Sequence, residues 1–435
     1  MSRVKSTSAV LVVVISIIAS GRMSSAQNAI EHGHWVSAWG AAVHTALRFP
    51  GDPPSLVLEN QTIRMVVRPT FGGERLRIRL SNECGTSALT IGSAHIAVTN
   101  HGSAIVPESD HTLTFGGKPS VSIPPGAPML SDPIDLKVAA LTELSVSVYL
   151  PQKSPATTMH GLARHDTYVS GSGDFTAKTD IVSPTVAPSW YWLADVEVWA
   201  GGQAGAVVTL GDSITDGYGA KRGDYADWPD ILAKRLNAEQ KSTRMAVVNE
   251  GISGNRILHD GAGASALARF DRDVLAQPGI TTLTMLEGVN DITFPNIKVP
   301  SPKSGDSIQE RPFAGESVSA QDLIQGMQQI IERAHEHGIK VFGATILPFE
   351  GVNTYSVEGN GIRQSVNKWI RTGGAFDVVF DFDAAMRDPS HPSRLRDIYD
   401  CGDHVHPSAA GYKVMADMID LSLFRNGNAN SGGDR

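Results

Sequence analysis

The chain has 435 residues, enough for two domains that each bury an apolar interior. Its 41% of hydrophobic and 19% of charged residues are typical of an ordinary soluble protein. The formal net charge of -8 gives no basic surface for nucleic acid or anionic lipid, so we expect no nucleic-acid partner.

The first residues have the pattern of a targeting segment. Arg3 and Lys5 precede an apolar run from Ala9 to Ala19, and Ser24-Ser25-Ala26 offers small residues for cleavage. The run is too short for a comfortable membrane span. We predict that residues 1–26 form a secretory signal peptide and that the protein is secreted or periplasmic, with no stable membrane insertion after cleavage; an uncleaved anchor is the alternative.

Residues 27–200 show strand signals and almost no helical period. Arginine alternates with aliphatic residues over 75–80, which is typical of a strand with one face in a core. We interpret the arginine face as solvated, and a carbohydrate or phosphate platform is the alternative. Further strand-like segments separated by Gly- and Pro-rich turns lie at 63–67, 94–98, 112–115, 121–123 and 144–150. This spacing predicts a β-sandwich of jelly-roll type.

Two cysteines, Cys84 and Cys401, allow one internal disulfide in an oxidising compartment. Two separate buried thiols are the equally open alternative. So few cysteines encode no zinc or iron–sulfur site, and the 14 histidines show no metal-ligand spacing. We therefore expect no metal and no cofactor.

After a Gly-rich linker at 201–205, strand-like runs alternate with amphipathic helical patterns as far as residue 425. The strand runs are 206–210, 245–249, 280–286, 339–346 and 377–381, and the helical patterns lie near 227–240, 262–276, 319–337, 357–371 and 407–424. This alternation predicts a three-layer α/β/α domain with a five-stranded parallel sheet. Residues 426–435 are predicted to be a disordered tail. The polar insertion Thr293 to Val318 is either an active-site lid or a plain surface loop.

The first strand run of this domain ends at Gly211-Asp212-Ser213. A buried parallel strand would deliver Ser213 to the carboxyl edge of the sheet, where open α/β folds bind their ligands, so Ser213 is the candidate nucleophile. The alternative is that Ser213 is the N-cap of the next helix. Gly305-Asp306-Ser307-Ile308 repeats the same four letters without a preceding apolar strand, and we predict a loop there.

A serine nucleophile needs a base and an acid that orients the base. Asp403 and His406 are three residues apart, and Pro407 restricts the backbone at His406 and can begin a helix. We predict His406 as the base and Asp403 as its partner. His404 stands too close to Asp403 for the same hydrogen bond, and we expect it to be structural or substrate-facing.

Attack on a carbonyl also needs hydrogen-bond donors for the oxyanion. Gly254 lies in the turn after the second strand run, where a glycine lets a backbone N–H approach closely. Asn290 lies in the turn after the third run and offers an amide donor. Ordinary turn chemistry would explain either residue alone, but four turns of the right type at strand ends favour a shared site.

These blocks resemble the four signature blocks of the GDSL or SGNH hydrolase superfamily, in the family's order: Gly211-Asp212-Ser213, Gly254, Gly288-Val289-Asn290-Asp291 and Asp403 with His406. The resemblance implies a flavodoxin-like α/β/α sandwich over about 206–424 and a metal-independent serine esterase. It also implies a catalytic triad of Ser213, Asp403 and His406, with an oxyanion hole formed by Ser213, Gly254 and Asn290. The front region is similar to the β-domain that precedes the hydrolase in a secreted bacterial subset.

The sequence therefore predicts a secreted serine esterase that works through an acyl-enzyme, with a small-molecule or polysaccharide ester as substrate. We favour deacetylation of a carbohydrate, because the insertion carries polar residues and only two aromatics, Phe294 and Phe313, that look isolated. A lipase or lysophospholipase is the alternative, and a non-catalytic carbohydrate-binding protein is an alternative of another class. We expect the β-domain to shape the rim of the active site.

Overall fold

The structure is a computed structural model that describes residues 33–45, 55–239, 244–301 and 305–425. The predicted signal peptide, 1–26, and the predicted tail, 426–435, lie outside the described residues. No helix in the described ranges is both long enough and apolar enough to cross a bilayer.

The N-terminal half of the chain is built from strands. Strands β1 to β17 are Gly33–Gly40, Val57–Leu58, Gln61–Val67, Leu76–Ser81, Leu89–Ile91, Ser93–His101, Ala104–Ile105, His111–Thr112, Val121–Ile123, Pro128–Leu130, Leu144–Leu150, Ser154–Pro155, Met159–His160, Thr167–Ser172, Thr185–Ala187, Trp190–Tyr191 and Leu193–Gly201. Their larger sheets have the orders β1-β17-β4-β10 and β15-β14-β3-β11-β6-β7, with β8 also on β6. Both sheets contribute side chains to one apolar core, so this part is the predicted β-sandwich.

The C-terminal half alternates strands with helices. Strands β18 to β24 are Gly205–Gly211, Met245–Gly251, Ile280–Leu286, Val299–Ser301, Gly305–Glu310, Lys340–Ala344 and Val378–Phe380. Helices α1 to α8 are Ser213–Asp216, Trp228–Ala238, Ala266–Phe270, Val289–Thr293, Ala320–Glu336, Val357–Thr372, Phe382–Met386 and Ala409–Asp417.

Five strands form the parallel sheet that the sequence predicts, in the order β19-β18-β20-β23-β24. Helices α3, α5 and α6 pack on one face of this sheet, and α2, α7 and α8 pack on the other. The fold is therefore an α/β/α sandwich, and the carboxyl ends of β18, β19 and β20 meet at one edge.

Two local predictions are wrong. The tetrapeptide 305–308 is not a loop, because it lies in β22, which pairs with β21 in an antiparallel hairpin inside the insertion. The predicted linker is also shorter than expected, since β17 ends at Gly201 and β18 begins at Gly205. Neither hairpin strand shows the apolar alternation that would have indicated a strand.

The arginine face of β4 is not solvated. Arg77 and Arg79 both bind Glu197, a fully buried residue of β17, at 2.6 and 2.7 Å. Arg79 also donates to the carbonyl of Ala276 in the α/β half at 3.2 Å. This face is therefore part of the contact between the two halves, and the ion pairs compensate the buried carboxylate.

Thr70 closes the outer edge of the parallel sheet. Strand β19 lies at the end of that sheet, and its outer edge leaves backbone groups of Val247 without a strand partner. The Oγ1 of Thr70 accepts from the Val247 N–H at 2.9 Å, and the hydroxyl lies 2.9 Å from the carbonyl oxygens of Val247 and Ala38. A side chain of the β-sandwich thus covers a sheet edge that could otherwise pair with a strand of another chain.

We expect Thr70→Val to lower the free energy of unfolding by about 1–3 kcal/mol, because it leaves the Val247 N–H buried without a partner. Urea denaturation followed by tryptophan fluorescence measures this. Thr112→Val, at an exposed position of β8, is the control and should change stability by less than about 0.5 kcal/mol. Equal effects of the two substitutions would contradict the assigned role of Thr70.

Candidate active site

Strand β18 carries Ser213 to the edge of the sheet. All seven residues of the strand are buried, and its last residue, Gly211, lies so close to β20 that a Cβ would meet the Leu286 carbonyl oxygen at 2.6 Å. The buried Asp212 is the N-cap of α1 and accepts from the Ile214 N–H at 2.9 Å. The alternative in which Ser213 itself is the cap is therefore wrong, and the Ser213 hydroxyl is left for another partner.

That partner is His406. The Oγ of Ser213 lies 2.7 Å from Nε2 of His406, and Nδ1 of the same ring lies 2.6 Å from Oδ2 of Asp403. The other carboxylate oxygen of Asp403 accepts from the backbone N–H groups of Val405 and His406, at 3.1 and 2.9 Å. These contacts form a continuous serine–histidine–aspartate line across residues 193 positions apart.

Asp403 is held as a carboxylate. Partial burial acts to raise its pKa, but hydrogen bonds from the ring and the N–H of His406 outweigh this effect and hold the pKa well below its usual value. A charged Asp403 fixes the proton of the ring on Nδ1 and leaves Nε2 free to accept. The arrangement therefore presents a base to the Ser213 hydroxyl.

His404 has a structural place in the same turn. Its Nδ1 lies 2.7 Å from Asp400, and its backbone has a φ of 71°, which is rare for a residue other than glycine. Its ring packs against Gly351, where a Cβ would lie 2.6 Å from it. Within the described residues, His404 forms no hydrogen bond with Asp403.

Ser213, Gly254 and Asn290 line one open pocket of about 540 Å³, together with His406 and Asp403. The Asn290 side-chain amide donates one hydrogen to the carbonyl of Asn255 at 2.9 Å. This bond fixes the orientation of the amide and leaves its second hydrogen to donate to an oxyanion. Gly254 has a φ of 85°, which favours glycine. The structure thus brings together all five residues that the sequence predicts for the site.

Asp291 ties two of the turns to each other. Its buried carboxylate accepts from the N–H groups of Ile257 and Leu258 at 2.8 and 3.0 Å. Burial raises its pKa to about 6, and the two backbone donors limit that rise. The turn that holds Asn290 and the turn that holds Gly254 are therefore fixed relative to each other.

Arg269 is a central residue of the site that the sequence does not predict. Its fully buried guanidinium donates to the carbonyls of Gly211 at 3.0 Å and Glu250 at 2.7 Å, and Nε donates to the Asn255 side chain at 2.9 Å. Asp273 balances its charge at 3.0 Å. The sequence indicates a buried ion pair here only weakly. Arg269 and Asp273 are four residues apart, on the same helical face as the apolar residues of 262–276.

A β-sandwich segment reaches the pocket. We call residues 160–165 the docking segment. Leu162 lines the pocket beside Tyr218, whose ring centroid lies 4.2 Å from that of His406. Arg164 donates to the carbonyl of Ala220, and its guanidinium lies 5.5 Å from the Tyr218 ring centroid. The wall of the pocket is therefore built from both halves of the chain.

The insertion contributes its base to the pocket. Phe294 lines it, and Phe294 and Phe313 are not isolated, since their ring centroids are 5.2 Å apart with the Arg256 guanidinium near both rings. Arg311 donates to the Pro295 carbonyl at 3.0 Å.

Both cysteines are free thiols. Cys84 is half-buried, and burial raises its pKa. Cys401 is exposed, and desolvation together with the charge of Asp403 raises its pKa to about 11. The structure therefore contains neither the disulfide nor the two buried thiols that the sequence left open, and neither sulfur has the lowered pKa of a reactive thiolate.

Residues 209–414 match the GDSL-like lipase/acylhydrolase family. This part of the chain is a GDSL-like lipase/acylhydrolase domain. No curated protein matches the chain.

Three solved structures similar to about half of the chain are an acetylxylan esterase, a GDSL-like lipase and a member of the lipolytic G-D-S-L family. The esterase is from Geobacillus stearothermophilus, with 20% identity over 50% of this chain and 94% of that chain and a TM-score of 0.35. The lipase is from Bacteroides thetaiotaomicron, with 19% identity over 50% and 87% and a TM-score of 0.35. The third is from Veillonella parvula, with 16% identity over 49% and 95% and a TM-score of 0.33.

We expect Gly254→Ala to destabilise the fold by about 1–2 kcal/mol, because an alanine with positive φ is strained and its Cβ would meet the Ala262 Cβ at 3.0 Å. Urea denaturation measures the change. Gly361→Ala is the matched control, since Gly361 lies in α6 with open space around it, and alanine there should stabilise by about 0.5–1 kcal/mol. A neutral Gly254→Ala would contradict the constraint on this turn.

Proposed function

We propose that this protein is a secreted carboxylic-ester hydrolase that forms an acyl-enzyme on Ser213 and removes a short acyl group, acetyl above all, from a carbohydrate. The observation that carries the proposal is the hydrogen-bonded line from Ser213 through His406 to Asp403, which opens into the pocket shared with Gly254 and Asn290.

In the proposed acylation step, Oγ of Ser213 attacks the ester carbonyl carbon while its proton moves to Nε2 of His406. The carbonyl π electrons move to oxygen, and the N–H groups of Ser213 and Gly254 with the Asn290 amide stabilise the oxyanion. When the intermediate collapses, the bond to the leaving oxygen breaks and His406 returns its proton to the departing alcohol. Asp403 stabilises the imidazolium between these transfers.

Deacylation repeats the sequence with water in place of serine. His406 removes a proton from the water as its oxygen attacks the acyl carbon. The second tetrahedral intermediate then expels Ser213, which recovers its proton from His406, and the carboxylic acid leaves. The reaction needs no group beyond water and the residues named, so the proposal includes no metal and no cofactor.

The pocket supports a short acyl group with a polar leaving group. Polar side chains of Ser253, Asn353 and Thr354 share its lining with Leu162 and Phe294, and its opening is broad. A hydroxyl-rich leaving group can hydrogen bond to such a wall while an acetyl group fills the apolar part. The proposed secretion rests on the basic and apolar pattern of residues 1–26.

We expect Ser213→Ala to reduce the kcat for p-nitrophenyl acetate by up to roughly a millionfold, because the attacking oxygen is lost. Ser307→Ala is a sequence-matched control, since Ser307 occupies the repeated tetrapeptide at 305–308, and it should keep wild-type activity. Substantial activity in Ser213→Ala would overturn the assignment of the nucleophile. An inactive wild type would favour the non-catalytic alternative.

A panel of p-nitrophenyl esters from acetate to palmitate tests the acyl preference. We expect kcat/KM to be highest for the shortest chains, and acetate to be released from acetylated xylan or pectin. A rise in kcat/KM toward decanoate or longer, with no acetate released from a glycan, would favour a lipase or lysophospholipase instead.

A further inference from the structure

His160, in the docking segment of the β-sandwich, is a buried polar residue that the proposed mechanism does not use. It lies in β13, and only 3% of its surface is exposed. Its Nδ1 is 3.0 Å from the carbonyl oxygen of Ala42, and its Nε2 is 2.9 Å from Oδ1 of Asp216. A peptide carbonyl and a carboxylate can only accept, so both ring nitrogens donate and the ring is an imidazolium.

The surroundings of His160 agree with this charge. Burial acts to lower its pKa, but the charge and hydrogen bond of Asp216 outweigh burial and raise it. The neighbouring His44 accepts from the Gly161 N–H with Nε2 at 3.1 Å, while its Nδ1 lies 2.7 Å from the Thr45 carbonyl. His44 is therefore neutral, and burial lowers its pKa to about 4. The docking segment thus delivers one buried positive charge to the α/β half.

Asp216 links His160 to Ser253, which lies beside the candidate active site. It is the last residue of α1, the helix that begins at Ser213. While its Oδ1 binds His160, its Oδ2 accepts from both the N–H and the hydroxyl of Ser253, at 2.9 and 2.6 Å. Ser253 is followed directly by Gly254. Three hydrogen bonds therefore connect a β-sandwich side chain with the residue before a proposed oxyanion donor.

We propose that His160 is a positioning residue of the oxyanion hole, which acts through Asp216 and Ser253 on the backbone N–H of Gly254. This inference rests on the proposed ester hydrolysis. Without the hydrogen bond from Nε2 of His160, Oδ1 of the buried Asp216 would lack a donor, so the carboxylate would turn toward water and release Ser253. Oxyanion donors work only within a few tenths of an ångström of their optimum, and a loosened Gly254 would slow the chemical step.

Two near-isosteric substitutions distinguish the hydrogen bond of Nδ1 of His160 from that of Nε2. In His160→Gln the side-chain amide can reach the position of Nε2 and still donate to Asp216. In His160→Asn the amide can reach only the position of Nδ1, so the Ala42 contact survives and the Asp216 contact is lost. We expect His160→Asn to lower kcat for p-nitrophenyl acetate roughly tenfold to a hundredfold with little change in KM. We expect His160→Gln to remain within about threefold of wild type.

Phenylboronic acid supplies a second readout. Its boron accepts the Ser213 oxygen and becomes a tetrahedral anion that needs the oxyanion donors, so its inhibition constant should rise in His160→Asn in parallel with the loss of kcat. Arg68→Gln is the matched control. Arg68 forms another ion pair between the two halves, with Asp230 at 2.8 Å, so its loss should lower Tm but leave kcat and boronate inhibition unchanged.

The outcomes are separable. Equal kcat in His160→Asn and wild type, or equal loss in the Asn and Gln variants, would overturn the positioning role. An equal loss in Arg68→Gln would assign the effect to docking alone and would also overturn it. If His160→Asn does not fold, Ser253→Ala decides, because it removes only the hydroxyl donor to Asp216; unchanged kcat and boronate inhibition there would overturn the inference. Failure of the proposed function would appear instead as activity that survives Ser213→Ala.

Discussion

The active-site edge of the sheet depends on one buried cation. The guanidinium of Arg269 binds the carbonyl of the last residue of β18, the carbonyl of the penultimate residue of β19, and the side chain of Asn255 beyond the second strand. The Gly211 carbonyl also accepts from the Ile252 N–H at 3.0 Å, and Arg269 adds a charge-assisted hydrogen bond to this strand end in a dry interior. Because Ser213 follows the first strand and Gly254 follows the second, the same cation fixes the distance between the proposed nucleophile and an oxyanion donor.

Other charges are arranged around this cation. Asp273 balances Arg269 directly, while the neighbouring Glu287 is fully buried and none of its oxygens has a hydrogen-bond partner within the described ranges. Burial and the nearby carboxylate of Asp212 raise the pKa of Glu287 well above its usual value. Oε2 of Glu287 lies 3.9 Å from the Arg269 guanidinium, so this one cation faces two buried carboxyl groups, those of Asp273 and Glu287, at the sheet edge.

The sequence predicts those parts of the fold and of the candidate site that depend on residues close together in the chain. Buried parallel strands read as apolar runs, so the five-stranded sheet and the turns after its strands could be predicted, and with them Ser213 and the pair of Asp403 and His406. The hairpin of 299–301 with 305–310 was not predicted, because its sequence lacks the apolar alternation that indicates a strand. The arginine face of β4 was predicted to be solvated, and this is wrong because its partners, Glu197 and the carbonyl of Ala276, lie more than 100 residues further along the chain.

Long-range polar contacts were beyond prediction for a related reason. Arg269 contacts a carbonyl 58 residues away, His160 a carboxylate 56 residues away, and Thr70 a backbone group 177 residues away. In a single sequence, nothing about a histidine or a threonine identifies a partner at such a distance. The resemblance of the four blocks supplied part of what spacing could not, but it extended only over the α/β half.

The coverage of β19 by Thr70 has a consequence for the order in which the two halves of the chain can fold. Strand β1 pairs with β17, so the β-sandwich cannot close before residue 201 is available. Strand β19 follows more than forty residues later, as 245–251. In a chain that becomes available from its N-terminus, the hydroxyl that caps the edge of β19 therefore precedes the edge itself. This order shortens the time during which the edge is open to pairing with another chain.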